Sequence, residues 1–169
     1  IVSTDNKLIK SYISKKKKYK NIKVILRSKL DRNKEPIELA RKIFSKQKEK
    51  YVAFSQITNP FLDHKSISIM FMLIYFYKAD KIIPTVKSPF NFYKHNGNTL
   101  KNVNKVSDFI LEREQLFKEI AQFRIFNKNS LKSNKINKIT HFEIDKKSSF
   151  VIRDIQDIKI ANFINKLNI

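Results

Sequence analysis

An α+β fold, a small three-stranded sheet with packed helices plus a basic N-terminal arm and a C-terminal extension, is predicted by three features of the 169-residue sequence. Apolar residues run nearly unbroken from Ile67 to Tyr77, an Asn96-Gly97 pair separates two short apolar segments, and three stretches space apolar residues as a helix does. With 14 Phe and 6 Tyr inside a hydrophobic fraction of 41%, the chain has the apolar side chains for a core despite a formal charge of +21.

Taken in order, the basic run Lys15, Lys16, Lys17, Lys18 and Lys20 reads as solvated and extended, and Lys20 to Ile25 has short strand character. Pro36 suits the first turn of a helix whose stripe is Ile37, Ala40, Ile43 and Phe44, with cations in its later turns as the helix dipole favours. Pro60 breaks the chain, and Asp63 can cap a short turn. Because Ile67 to Tyr77 is apolar at both odd and even positions, it predicts a strand buried on both faces. Pro84 and Pro89 bracket a loop or edge segment. Phe90 to Val106 predicts a β-hairpin turning at Asn96-Gly97, since both residues accept positive φ. Ser107 and Asp108 open a helix with Phe109, Leu116, Ile120 and Phe123 on its stripe and Arg124 at its end. Phe150 to Ile152 reads as a strand, and Asp154 with Asp157 caps a final helix carrying Ile160, Phe163, Ile164 and Leu167. No internal repeat is present.

Charge divides the chain into three. Residues 1–54, a basic extension with a short helix, carry 17 Lys+Arg against 5 acidic residues; residues 55–126, the α+β core, carry 10 against 6; residues 127–169, a basic extension with a terminal helix, carry 9 against 4. A field of this kind attracts polyphosphates, whose displaced counterions drive binding. Lys, Ile and Asn, the residues of A/T-rich codons, make up 71 of the 169 positions and point to an organellar or reduced genome. The first 20 residues are polar and do not resemble a secretory signal, and the longest apolar run is about half of what a membrane helix needs.

Several chemistries are excluded or disfavoured. With no Cys there is no disulfide framework and no thiolate metal or redox site. A single glycine, Gly97, rules out every Gly-rich phosphate cradle and the nucleotide-dependent enzymes built on one. His64, His95 and His141 lie far apart, so no metal motif and no cofactor is implied. Glu112, Glu114 and Glu119 fall beside Arg113 and Lys118, where ion pairing on a helix explains them without acid–base work. The reading is of a protein that is not an enzyme.

Four segments in order resemble the nineteenth protein of the small ribosomal subunit, a universal head protein. Phe54 to Asp63 keeps the Ser-to-Pro spacing and the P-F-x-D of the family's R-S-x-x-x-G-P-F-[VI]-D, and Tyr77 to Pro84 is similar to its S-R-x-S-x-I-[IL]-P. Phe90 to Gly97 resembles the F-x-V-Y-N-G-[KR] turn, one residue longer, and Phe117 to Arg124 lies where the family has [FL]-G-E-F-A-x-T-R. The resemblance spans residues 54–126, or 73 of the 169. It implies a non-enzymatic constituent of the small-subunit head, of a divergent mitochondrial form in the matrix, bound to rRNA near the decoding region. Its neighbours would be head proteins, including the one numbered thirteen, with A-site tRNA in reach and no membrane.

On that reading the RNA-binding residues are Lys15, Lys16, Lys17 and Lys18 in the arm, Ser55 and Asn59 before Phe61, and Lys78 and Lys81 at a strand end. Asn96 and Gly97 would allow close backbone approach, Lys118, Arg124 and Lys128 would line the RNA side of a helix end, and Glu119 and Asp63 could instead hold these cations in place. The alternative from a different class is a peripheral accessory subunit of an organellar membrane complex, attached through its basic arm.

Overall fold

The computed structural model describes residues 1–28, 36–44, 48–88, 90, 92–95, 97–103, 115–120, 123–133 and 135–167. It is an α+β structure, and its chain forms two compact units, Ile1–Gln47 and Lys48–Ile169.

In the first unit, strand β1 (Val2–Thr4) pairs in parallel with β2 (Val24–Leu26), and helix α1 (Lys7–Lys15) lies between them in sequence. Asn6 caps α1 by accepting the Leu8 N–H at 2.8 Å. The basic run is not extended: Lys15 ends α1, and Lys17 and Lys18 sit in a 3₁₀ turn, Lys17–Tyr19. Ring faces nearby favour this, with the Lys16 ammonium 5.4 Å from the Tyr12 centroid and that of Lys18 4.8 Å from Tyr19. Helix α2 (Pro36–Phe44) forms where Pro36 and the apolar spacing predict it.

The second unit is built on a five-stranded sheet of β3 (Tyr51–Ser55), β4 (Lys81–Ser88), β7 (Leu116–Glu119), β8 (Phe123–Asn127) and β9 (Ile139–Glu143). β4 is its centre. One side of β4 pairs antiparallel with β8 through Lys81↔Phe126 and then with β7 through Thr85↔Glu119; its other side pairs in parallel with β9 through Lys81↔Ile139. β3 completes the far edge against β8.

The structure departs from several of the sequence expectations. The run Ile67 to Tyr77 is not a strand but most of helix α3 (His64–Phe76). Asp63 caps it, accepting the Ser66 N–H at 2.9 Å and the Ser66 hydroxyl at 2.7 Å, and so starts a 13-residue helix rather than a short turn. Met70 and Ile74, four residues apart, are fully buried and pack with Ala79, Ile82, Phe123 and Ile125 to form the core. The helix predicted from Ser107 to Arg124 is replaced, where the structure describes it, by β7 and β8; its beginning at 107–114 lies outside the described residues. Pro84 is no loop residue but a fully buried position of the central strand. Its carbonyl accepts the Ile120 N–H at 2.9 Å, so its absent N–H faces the break between β7 and β8, where no ladder bond is lost. Pro89 lies outside the described residues.

The hairpin does form, as β5 (Tyr93–His95) against β6 (Leu100–Asn102), a separate two-stranded sheet. Helix α4 (Lys128–Ser133) follows β8, and α5 (Ile155–Lys166) closes the described chain behind the Asp154 cap foreseen from sequence. Phe150 to Ile152 is irregular rather than a strand.

Candidate functional site

Strand β7 hangs its residues on β4 in the register Thr85↔Glu119 and Val86↔Lys118, which carries Lys118 and Glu119 to one edge of the sheet's break. Opposite them runs the connection from β9 to α5. The Ile144 N–H continues the β4–β9 ladder by donating to Thr85 O at 2.9 Å. The chain then turns tightly, because the Asp145 carboxylate accepts both the Ser148 N–H at 2.7 Å and the Ser148 hydroxyl at 2.9 Å. These bonds, the N–H first, hold the Asp145 carboxyl below its ordinary range.

Beyond the turn, the Ile152 N–H donates to Thr58 O at 2.8 Å and the Phe150 ring stands 6.1 Å from that of Phe61, so the connection is tied to the segment before α3. Asp154 accepts the N–H groups of Gln156 and Asp157 at 2.8 and 3.0 Å, while the Asp157 carboxylate reaches back to the Arg153 N–H at 2.8 Å. That reciprocal cap fixes where Arg153 leaves the backbone.

Between β7 and this connection lies an open cleft of about 400 Å³ lined by Lys118, Glu119, Lys146, Ser149, Arg153 and Asp157, with Ile120, Phe150 and Val151 as its apolar part. Its acids are already engaged. Glu119 accepts from Arg124 Nε at 2.7 Å and pairs with Lys81 Nζ at 3.5 Å, and Asp157 serves the helix cap. Burial pulls the Lys81 ammonium below its usual value against the attraction of Glu119, and the charge of Arg124 adds to that lowering. Lys118, Lys146 and Arg153 therefore give the cleft a positive excess suited to an anion. Among the described residues no group of three or more His, Cys, Asp or Glu could hold a metal ion, and no helix is long and apolar enough to cross a membrane.

The residues singled out from sequence scatter. Lys118 lines the cleft; Lys81 and Arg124 stand behind it as partners of Glu119, the holding role that sequence had offered as the alternative for that carboxylate. Asp63 caps α3, and among the described residues it pairs with no cation. Ser55 is exposed at the end of β3 with its hydroxyl donating to Gln56 O at 3.1 Å. The side-chain amide atoms of Asn59 are buried rather than presented outward. Lys78 is exposed two residues past the end of α3, at φ 48°, and Lys128 opens α4 with its N–H on Lys50 O at 2.9 Å. Gly97 has φ 102° and open space where a Cβ would stand, so its dihedral and not a close approach requires glycine. Asn96 lies outside the described residues. Lys15 to Lys18 are exposed in the first unit.

Lys146, Ser149, Arg153 and Asp157 were not foreseen as site residues. The one sequence signal near them was the Asp154-x-x-Asp157 cap, which placed a helix start immediately after Arg153.

No protein-family model matches the sequence, and no curated protein matches it. Solved structures do. The chain is similar to 4-diphosphocytidyl-2C-methyl-D-erythritol synthase from Anaerococcus prevotii, with a TM-score of 0.66 over 96% of this chain and 77% of that one at 13% identity. A second similar structure is 2-C-methyl-D-erythritol 4-phosphate cytidylyltransferase from Thermus thermophilus, with a TM-score of 0.49 over 75% of this chain and 67% of that one at 10% identity. The first likeness is one of fold. It overturns the reading of the chain as a non-enzymatic structural constituent of the small ribosomal subunit with an rRNA-binding role in translation, because the fold is shared with an enzyme.

Proposed function

We propose that the chain is part of a nucleotidyl-transfer enzyme and that the cleft between β7 and the 144–154 connection receives its phosphate-bearing acceptor. The observation that carries this reading is the convergence of Lys118, Lys146 and Arg153 on one open cleft of about 400 Å³ whose two carboxylates are already engaged. The shared fold with a synthase whose product joins a cytidyl group to a polyol through a diphosphate supports it. The chemistry that makes such a link is attack by an acceptor phosphate oxygen on the α-phosphorus of a nucleoside triphosphate, with pyrophosphate leaving. Catalysis of phosphoryl-type transfer consists mainly of positioning and charge stabilisation. Cations on a fixed strand and a capped helix start serve both needs. With one glycine in 169 residues, no Gly-rich loop of this chain cradles the triphosphate, so the cleft is assigned to the acceptor.

The test is pyrophosphate release by the full chain supplied with cytidine triphosphate, magnesium and a panel of phosphorylated polyols and sugars. Arg153→Ala and Lys146→Ala each remove a charged contact and should raise the acceptor KM about tenfold or more, leaving the fold intact. No release with any acceptor, or variants indistinguishable from the parent, would overturn the assignment.

A further inference from the structure

Glu119 is an odd residue to find in a cleft for anions. Its side chain is about one-third exposed and lines the cleft, yet a bare carboxylate there would repel a phosphate. Two cations behind it remove that objection. Arg124 Nε donates to Glu119 Oε1 at 2.7 Å, and Lys81 Nζ lies 3.5 Å from the same oxygen. Lys81 is itself mostly buried, with 13% of its side chain exposed, so it neutralises Glu119 rather than reaching for a ligand.

The two cations use one oxygen. An Arg–carboxylate pair whose purpose was only to anchor the arginine would gain most from the two-pronged arrangement, with one N–H on each oxygen. Here Oε2 has no partner among the described residues. An ionised carboxylate oxygen can only accept a hydrogen bond, and the oxygens of a phosphate dianion carry no proton to give it. A hydroxyl group does.

We infer that Glu119, held in place by Arg124 and Lys81, is a specificity residue that accepts a hydrogen bond from a ligand hydroxyl, so that the cleft takes hydroxylated anions in preference to anions without hydroxyls. The ligand class is a polyol or sugar phosphate, with its phosphate among Lys118, Lys146 and Arg153 and a neighbouring hydroxyl on Glu119. The inference rests on the cleft being the anion site proposed above.

Titration calorimetry on the full chain with two phosphate monoesters of equal charge separates the claims. Glycerol 3-phosphate carries hydroxyls and methyl phosphate has none. The parent should bind glycerol 3-phosphate about tenfold more tightly, as a hydrogen bond to a charged acceptor provides. Glu119→Gln should bring the two ligands within about twofold while methyl phosphate binds as well as before or better, because a negative charge has gone. Should Glu119→Gln fail to fold once Arg124 and Lys81 lose their counter-ion, Glu119→Asp keeps the charge and shortens the reach, and should erase the preference in the same way. Equal affinity of the parent for both esters, or a preference that survives the variant that folds, overturns the role of Glu119 alone. If the parent binds neither ester, the anion cleft itself is refuted, and the inference with it.

Discussion

Lys78 occupies the left-handed region at φ 48°, a conformation that costs a residue with a Cβ about 1 kcal/mol or more. The reason lies in the end of α3. The Lys78 N–H donates to Tyr75 O at 3.2 Å and the Ala79 N–H to Ile74 O at 3.1 Å, the paired bonds that close a helix when the next residue turns left-handed. Glycine is the residue such a position favours, so Lys78→Gly should stabilise the protein by about 1 kcal/mol, visible as a higher urea midpoint at unchanged slope. Two residues on, Asp80 joins three parts of the second unit. It accepts from the Ser130 hydroxyl in α4 and from the N–H groups of Asn137 and Lys138 at 2.9 and 3.0 Å, ahead of β9. Those bonds, Ser130 first, keep its carboxyl below the usual range.

At the level of elements, α3 shows how an apolar run misleads. When nearly every side chain from Ile67 to Phe76 is apolar, periods of 2 and 3.6 both find support, and length together with the cap decides for the helix. The two readings differ in a measurable way. In a strand, Met72 and Ile74 would share a face; in α3, Ile74 is fully buried while Met72 is 62% exposed. Ile74→Ala should therefore cost about 2–5 kcal/mol and Met72→Ala less than about 0.5, measured by denaturant unfolding. Equal costs would favour the strand. The stretch from Leu116 to Phe123 failed in the opposite sense, since its helical spacing was overruled by pairing along β4.

Across the molecule, the charge of +21 is gathered by the fold as well as by sequence. The cleft takes Lys118 from β7 and Lys146 and Arg153 from the connection before α5, stretches that carry no dense basic run. Stability has its own charge dependence. Asp63, Asp80 and Asp145 each have a lowered pKa caused by hydrogen bonds to the ionised form. A carboxyl depressed in the folded state contributes stability that is present above its unfolded value of about 3.9 and lost as pH falls through the folded one. The melting temperature should thus be insensitive to these groups above about pH 5 and fall below about pH 4. Asp80→Asn should lower it at neutral pH and reduce its further drop in acid; an unchanged acid profile would show that Asp80 contributes nothing to it.

What depends on neighbours along the chain is legible in the order of residues alone. The Asp154 cap, the Pro36 helix start and the turn at the lone glycine are local hydrogen-bond and dihedral effects, and each stands where the sequence places it; Asp63 caps too, but a helix in place of the short turn. The mixed composition likewise sufficed for an α+β fold. Long-range pairing settles that Pro84 sits in a central strand, that Leu116–Glu119 is extended, and that Lys118 faces Lys146 and Arg153 across a cleft. Those outcomes depend on which distant segments pair with β4, and the free energy of burying and hydrogen-bonding them exceeds the few tenths of a kcal/mol by which local propensities differ.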